Sequence, residues 1–107
     1  MTWPLVRGQV VRADIGLEEP KLLLVVSNNR RNEQLPQVLA VRLTTTEKPR
    51  IPSIIELAHP EPFAGRVVCD DIVEIYEDEV REIVGALSPA VMRSVNGGLK
   101  AALGIPR

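Results

Sequence analysis

A chain of 107 residues, 45% hydrophobic and 25% charged, has room for one folded domain over residues 1–107 and none for a separate substrate cap. Its net charge of −1 conceals a basic half, +3 over residues 1–50, and an acidic half, −4 over residues 51–107, so one face can still attract a polyanion. With 3% aromatics and a single cysteine, Cys69, it excludes a binder stacking successive bases on several rings, a disulfide within the chain and a Cys-rich zinc site.

The opening MTWPLVRG has no long apolar run, so a cytoplasmic chain without signal peptide or membrane span is expected. Residues 9–15 mix valines with polar residues and predict a strand. Gly16 and Pro20 bracket a short acidic turn, Leu17-Glu18-Glu19. Residues 21–27, KLLLVVS, are a continuous apolar run whose length and β-branched end predict a buried strand. The polar NNRRNEQLP over 28–36 reads as a loop or one short turn. A third strand follows at 37–44 (QVLAVRLT), a basic loop at 45–52 with two prolines, and a fourth strand at 53–58. Residues 59–65 form a turn, and 66–76 a strand that bends at Asp70-Asp71. Residues 82–87 read as a last short strand, with a helical turn over the acidic run 77–82 as the alternative.

Ser88-Pro89 is a helix start, since Ser caps the first amides and Pro suits the first helical position. Val91, Met92, Val95, Leu99, Ala102 and Leu103 then recur at helical spacing up to Gly104. Gly97-Gly98 conflicts with this helix, because each Gly costs ~1 kcal/mol relative to Ala. A close contact with another element would compensate. The elements add up to a mainly β chain with one helix (α+β), a small barrel with a helix packed on it.

Several segments, in order, resemble the MazF/PemK family of bacterial toxin endoribonucleases. Arg7-Gly8-Gln9-Val10-Val11 and Asp14-Ile15-Gly16 resemble the ends of the family's first strand. Leu24 to Asn29 (LVVSNN) resembles its strand into a Ser-Asn-Asp turn, and Val41 to Thr46 (VRLTTT) its Pro-Ile-Thr-Ser/Thr segment. Val67 to Ile75, and Gly85 to Pro89 leading into the last helix, complete the match. The resemblance implies an SH3-like small barrel of the CcdB/PemK type with a C-terminal helix. It further implies a homodimer, a cognate MazE-like antitoxin and cleavage of single-stranded RNA: mRNA, with rRNA or tRNA as further candidates. Neither metal nor other cofactor is implied, nor a membrane partner.

Such cleavage has the 2′-hydroxyl attack its own phosphate, so the protein must stabilise a phosphorane and manage two proton transfers. The family assigns this work largely to an Arg before the second long strand and a Thr or Ser after the third. Carried over by position, these fall on Lys21 and Thr44, the implied catalytic pair. Lys21-Leu22 stands where the family has Arg-Pro, which exchanges a planar fork of donors for a compact point charge. Arg42 replaces the family's usual Pro. Arg30, Arg31, Arg42, Lys48 and Arg50, with Thr45 and Thr46, are the candidate RNA-binding edge. Each of these cations, read alone, is ordinary solvated charge, and threonines suit strand ends without any chemistry.

Other tempting residues read as structure. Glu18 and Glu19 are turn acids, although either would serve as a general base. His59, between Ala58 and Pro60, reads as a surface turn residue and Cys69 as a buried small hydrophobe. Asp70 and Asp71 are a weak metal pair, because neighbours on a strand point to opposite faces. Two other functions compete: a CcdB-like gyrase poison, and a catalytically impaired barrel that only binds antitoxin. The first relies on a C-terminal Trp-Gly-Ile, where this chain has Leu103-Gly104-Ile105 and lacks the indole. The second would follow if Lys21 cannot do the work of Arg.

Overall fold

The structure, a computed structural model, describes residues 1–58 and 63–106. Strands β1 (Gln9–Ala13) and β2 (Lys21–Val25) lead into a short helix, α1 (Asn29–Gln34). Next come β3 (Gln37–Thr44), β4 (Ile54–Glu56) and the long β5 (Arg66–Tyr76). A 3-10 turn (Glu77–Glu79), β6 (Val80–Ala86) and α2 (Pro89–Leu103) complete the chain. The acidic run thus splits into a helical turn and the start of the last strand.

The strands form one antiparallel sheet in the order β4-β5-β3-β2-β1-β6. Phe63, between β4 and β5, packs against Gly85 of β6. Contact between opposite ends of the strand order means that the sheet curls on itself, as the barrel expectation required. Both faces of the central strands are covered. On one face Val11, Leu23, Val25, Val38 and Ala40 gather around Leu5 and Ile75. On the other, Val10, Leu24, Val41, Val67 and Cys69 lie beneath Met92 and Val95 of α2. Burial on two sides explains why β2 reads as an unbroken apolar run and not as an alternation. Each large aliphatic side chain so withdrawn contributes ~1.5–3 kcal/mol.

β5 bends where Asp70-Asp71 foretold. Val41 pairs with Ile72, but Arg42 pairs with Val68, so residues 69–71 bulge between them. The bulge sends Cys69 under α2 and leaves Asp71 Oδ2 3.6 Å from Arg42 Nη1. Burial, and next the charge of Asp70, raise the Cys69 thiol from 9.0 to about 11, so it stays protonated at neutral pH.

Residues 29–34 form a helix where the polar sequence suggested a loop or turn. Its stability comes from side chains bonding to backbone. Asn28 Oδ1 accepts from the Arg30 amide at 2.8 Å. Asn32 is buried, donating from Nδ2 to Ser27 O at 3.1 Å and accepting the Ser27 hydroxyl proton at 2.5 Å. Ser27 Oγ in turn accepts from the Leu39 amide at 2.9 Å, tying the connection to β3.

α2 starts and stops as its sequence indicates, capped by Ser88 and closed at Gly104. Gly98 resolves the conflict inside it. A Cβ there would stand 2.6 Å from Cys69 Sγ and 3.1 Å from Ile55 Cδ1, so only glycine lets α2 sit this close to the sheet. Gly97 has no such neighbour. Among the described residues, no helix is long and apolar enough to cross a membrane.

Candidate phosphate-binding groove

The topology brings the start of β2 beside the end of β3. The ladder pairs Leu23 with Arg42, Leu24 with Val41 and Val25 with Ala40. Continued outward by two residues, it sets Lys21 across from Thr44. Side chains alternate along a strand, so Lys21, Leu23, Arg42 and Thr44 share one face. Leu23 fills the core, while Lys21 and Thr44 lie beyond the core's edge, half-buried. A groove of about 390 Å³ opens there, lined by Glu19, Lys21, Arg42, Thr44, Thr45 and Thr46 among others.

Lys21, Arg42 and Thr44 each have spare capacity for an anion. Lys21 Nζ lies 3.9 Å from Glu19 Oε1, a long contact to an exposed carboxylate. A pair of that kind contributes at most ~1 kcal/mol and is displaced by a stronger anion. Arg42 has the 3.6 Å contact with Asp71, and its buried Nε makes no hydrogen bond. Thr44 Oγ1 accepts from the Thr46 amide at 3.1 Å, so one lone pair is committed to the turn and the hydroxyl proton is left to donate. Two cations and a hydroxyl converge on one cleft, an arrangement whose chemistry suits a phosphate or a phosphorane.

Of the other sequence candidates, Thr45 and Thr46 line the groove, whereas Lys48 and Arg50 lie exposed in the loop leaving it. Arg30 and Arg31 belong to α1, past the far end of β2 from Lys21. β2 alone separates them by roughly 13 Å at the usual rise per strand residue. Arg31 is also engaged there, its Nη1 donating to Gln37 O at 2.9 Å. His59 lies outside the described residues. Asp70 is exposed and Asp71 faces Arg42, so the two do not act as a pair.

Two contacts of the site escaped the sequence reading. The bend at Asp70-Asp71 was legible, but that it brings Asp71 to Arg42 was not. Arg66, the first residue of β5, pairs with Thr44, and its guanidinium reaches the carbonyls of Thr45 and Thr46. Its one sequence signal was the preceding glycine, Gly65.

A curled antiparallel sheet, a C-terminal helix and a cation-lined groove at the strand ends define a small, mainly β domain. The chain belongs to the PemK-like, MazF-like toxin family of type II toxin–antitoxin systems, whose family model matches residues 6–103. It is 42% identical over 106 residues to the endoribonuclease MazF1 of Mycobacterium bovis, covering 99% of this chain and 98% of that one. The endoribonuclease MazF4 of Mycobacterium tuberculosis matches to the same extent. Among solved structures, a mycobacterial endoribonuclease in complex with its cognate antitoxin superposes with a TM-score of 0.89 at 40% identity, over 97% of this chain and 99% of that one. A MazE–MazF structure from Deinococcus radiodurans shares the fold, with a TM-score of 0.80 at 21% identity over 98% of this chain and 100% of the other.

Proposed function

We propose that the chain is a toxin endoribonuclease that cleaves single-stranded RNA, mRNA foremost, without a metal or other cofactor. It acts in the cytoplasm as a homodimer and is restrained by a MazE-like antitoxin. The family match and the relatives' names support the reaction class. The observation that carries the reading for this chain is the convergence of Lys21, Arg42 and Thr44 on one groove.

In the reaction the 2′-oxygen gives up its proton and bonds to phosphorus, and the bond from phosphorus to the 5′-oxygen breaks. The leaving oxygen takes up a proton. The products are a 2′,3′-cyclic phosphate and a 5′-hydroxyl end. The ammonium of Lys21 neutralises a non-bridging oxygen whose charge grows in the phosphorane. The Thr44 hydroxyl donates to the same phosphate. Arg42, with Thr45, Thr46, Lys48 and Arg50, holds the flanking backbone. Arg30 and Arg31 extend this contact only to RNA long enough to reach α1. With Trp3, Phe63 and Tyr76 as the only aromatics, RNA is held through phosphates and hydroxyls and not by stacked rings.

The test is incubation of the purified protein with single-stranded RNA in excess EDTA. Cleavage leaving cyclic phosphate ends is expected. Loss of cleavage on chelation, or cleavage that persists in both Lys21→Ala and Thr44→Ala, overturns the reading.

A further inference from the structure

We propose that Arg66 is a positioning residue, which holds the turn from Thr44 to Glu47 so that the Thr44 hydroxyl faces the groove. The inference rests on the catalytic reading of Thr44 and extends it to a residue outside the groove lining.

β3 ends at Thr44, and the chain then leaves the sheet in a loop. Nothing in the ladder fixes residues 45–47. Arg66 supplies what the ladder lacks. Its side chain is only 15% exposed, and each nitrogen of its guanidinium is engaged. Nη1 donates to Thr45 O at 3.1 Å and to Thr46 O at 3.4 Å. Nη2 donates to Glu47 Oε1 and Nε to Glu56 Oε1, both at 3.1 Å. Glu56 stands directly across from Arg66 on β4, so the fork is anchored to the sheet on one side and grips three consecutive turn residues on the other.

Gly65 completes the clamp. A Cβ at Gly65 would lie 2.2 Å from Thr44 O, so the backbone before Arg66 is pressed directly against Thr44. With the carbonyls of residues 45 and 46 held from outside, the Thr46 amide turns inward and donates to Thr44 Oγ1. That bond sets the Thr44 side chain and leaves its proton for the phosphate. A planar fork of donors can span two carbonyls and two carboxylates, which a lysine ammonium cannot.

The test measures kcat and KM on single-stranded RNA for Arg66→Lys, Arg66→Ala, Thr44→Val and the Arg66→Ala/Thr44→Val double variant, with a melting curve for each. Arg66→Lys keeps the charge and the covered stem, so it decides the matter if Arg66→Ala fails to fold. Both Arg66 variants are expected to lower kcat ~10- to 100-fold through misplacement of a reacting group, with KM changed less than about threefold. In the double variant, Arg66→Ala adds little to the loss caused by Thr44→Val. The Thr46 amide, followed by hydrogen exchange, loses protection in Arg66→Lys. Full kcat in Arg66→Lys, multiplied losses in the double variant, or an unchanged Thr46 amide each overturn the proposal. If Thr44→Val cleaves like the wild type, the catalytic reading of the groove fails instead, and Thr46 exchange still reports whether Arg66 holds the turn.

Discussion

Lys21 and Thr44 line one groove, and the β2–β3 register, extended two residues past its last pair Leu23–Arg42, aligns them, one the first residue of its strand and the other the last. Their partners further in, Leu23 and Arg42, share their face of the sheet, so the core itself sets the spacing of cation and hydroxyl. Removing either group from the phosphate should cost catalysis more than folding, because both lie at the rim. Lys21→Ala and Thr44→Val are each expected to lower kcat ~10²- to 10³-fold, the usual loss for one donor to a developing oxyanion. Lys21→Arg keeps the charge and should retain more activity than Lys21→Ala. Single-turnover cleavage of a defined RNA, with thermal melts as a control, checks all three.

Arg42 is held by a long contact to Asp71, and on the proposed function it is a phosphate contact. Replacing it by Gln should weaken binding of single-stranded RNA and reduce the slope of log K against log salt by ~0.7, the value of one phosphate contact. Asp71→Asn removes a competing anion and should tighten binding. Fluorescence anisotropy over a range of salt, using a substrate whose 2′-hydroxyls are blocked, measures both. An unchanged slope in Arg42→Gln would remove this residue from the RNA-binding edge.

The two adjacent glycines of α2 should respond in opposite directions. Gly98→Ala drives a methyl into Cys69 Sγ and should destabilise the fold by ~1–3 kcal/mol, the usual cost of overpacking. Gly97→Ala meets no atom and should stabilise by ~0.4–1 kcal/mol, because alanine restricts the unfolded chain. Urea unfolding of both variants tests the contrast.

Cys69 should behave as a silent thiol. Its proton is held to about 11 in the fold, against 9.0 in the open chain. Below about 9 both states are protonated and the group contributes no pH dependence. As pH rises from about 9 to about 11, the unfolded chain ionises first, so stability should fall across that window. Comparing urea midpoints of wild type and Cys69→Ala isolates this effect from other titrating groups. At pH 8 a disulfide reagent should label the native protein slowly and the urea-unfolded protein fast.

Much of this architecture was legible along the chain because local rules wrote it. The limits of β3, the bend at Asp70-Asp71 and the caps of α2 follow from alternation, charge and capping chemistry. α1 was less legible because its stability comes from Asn32 reaching back to Ser27, a contact that a polar composition hides. Lys21 and Thr44 could be named from a family pattern, with Thr45 and Thr46 as neighbours of Thr44, whereas Arg42 departs from that pattern and could be named only as one of a cluster of cations. Arg30 and Arg31 follow Lys21 closely in sequence, yet β2 carries them to the other end of the sheet.

The sequence by itself determined the order of the strands along the chain, the closing helix, the buried thiol and a basic first half. Each depends on neighbours within a few residues or on simple sums. Only the tertiary structure decided which groups meet. Sheet register is a long-range property: it brings Lys21 and Thr44 to one groove, the β5 bulge brings Asp71 to Arg42, and Arg66 reaches back to a turn it follows by about twenty residues. Such contacts form because the two apolar clusters accept one register of the sheet, and a slip by one residue would turn every core side chain to the opposite face. The −1 chain met at the outset can offer a cationic groove for the same reason: folding gathers Lys21 and Arg42 at one end of β2 and β3, while the acidic run lies at the turn between β5 and β6.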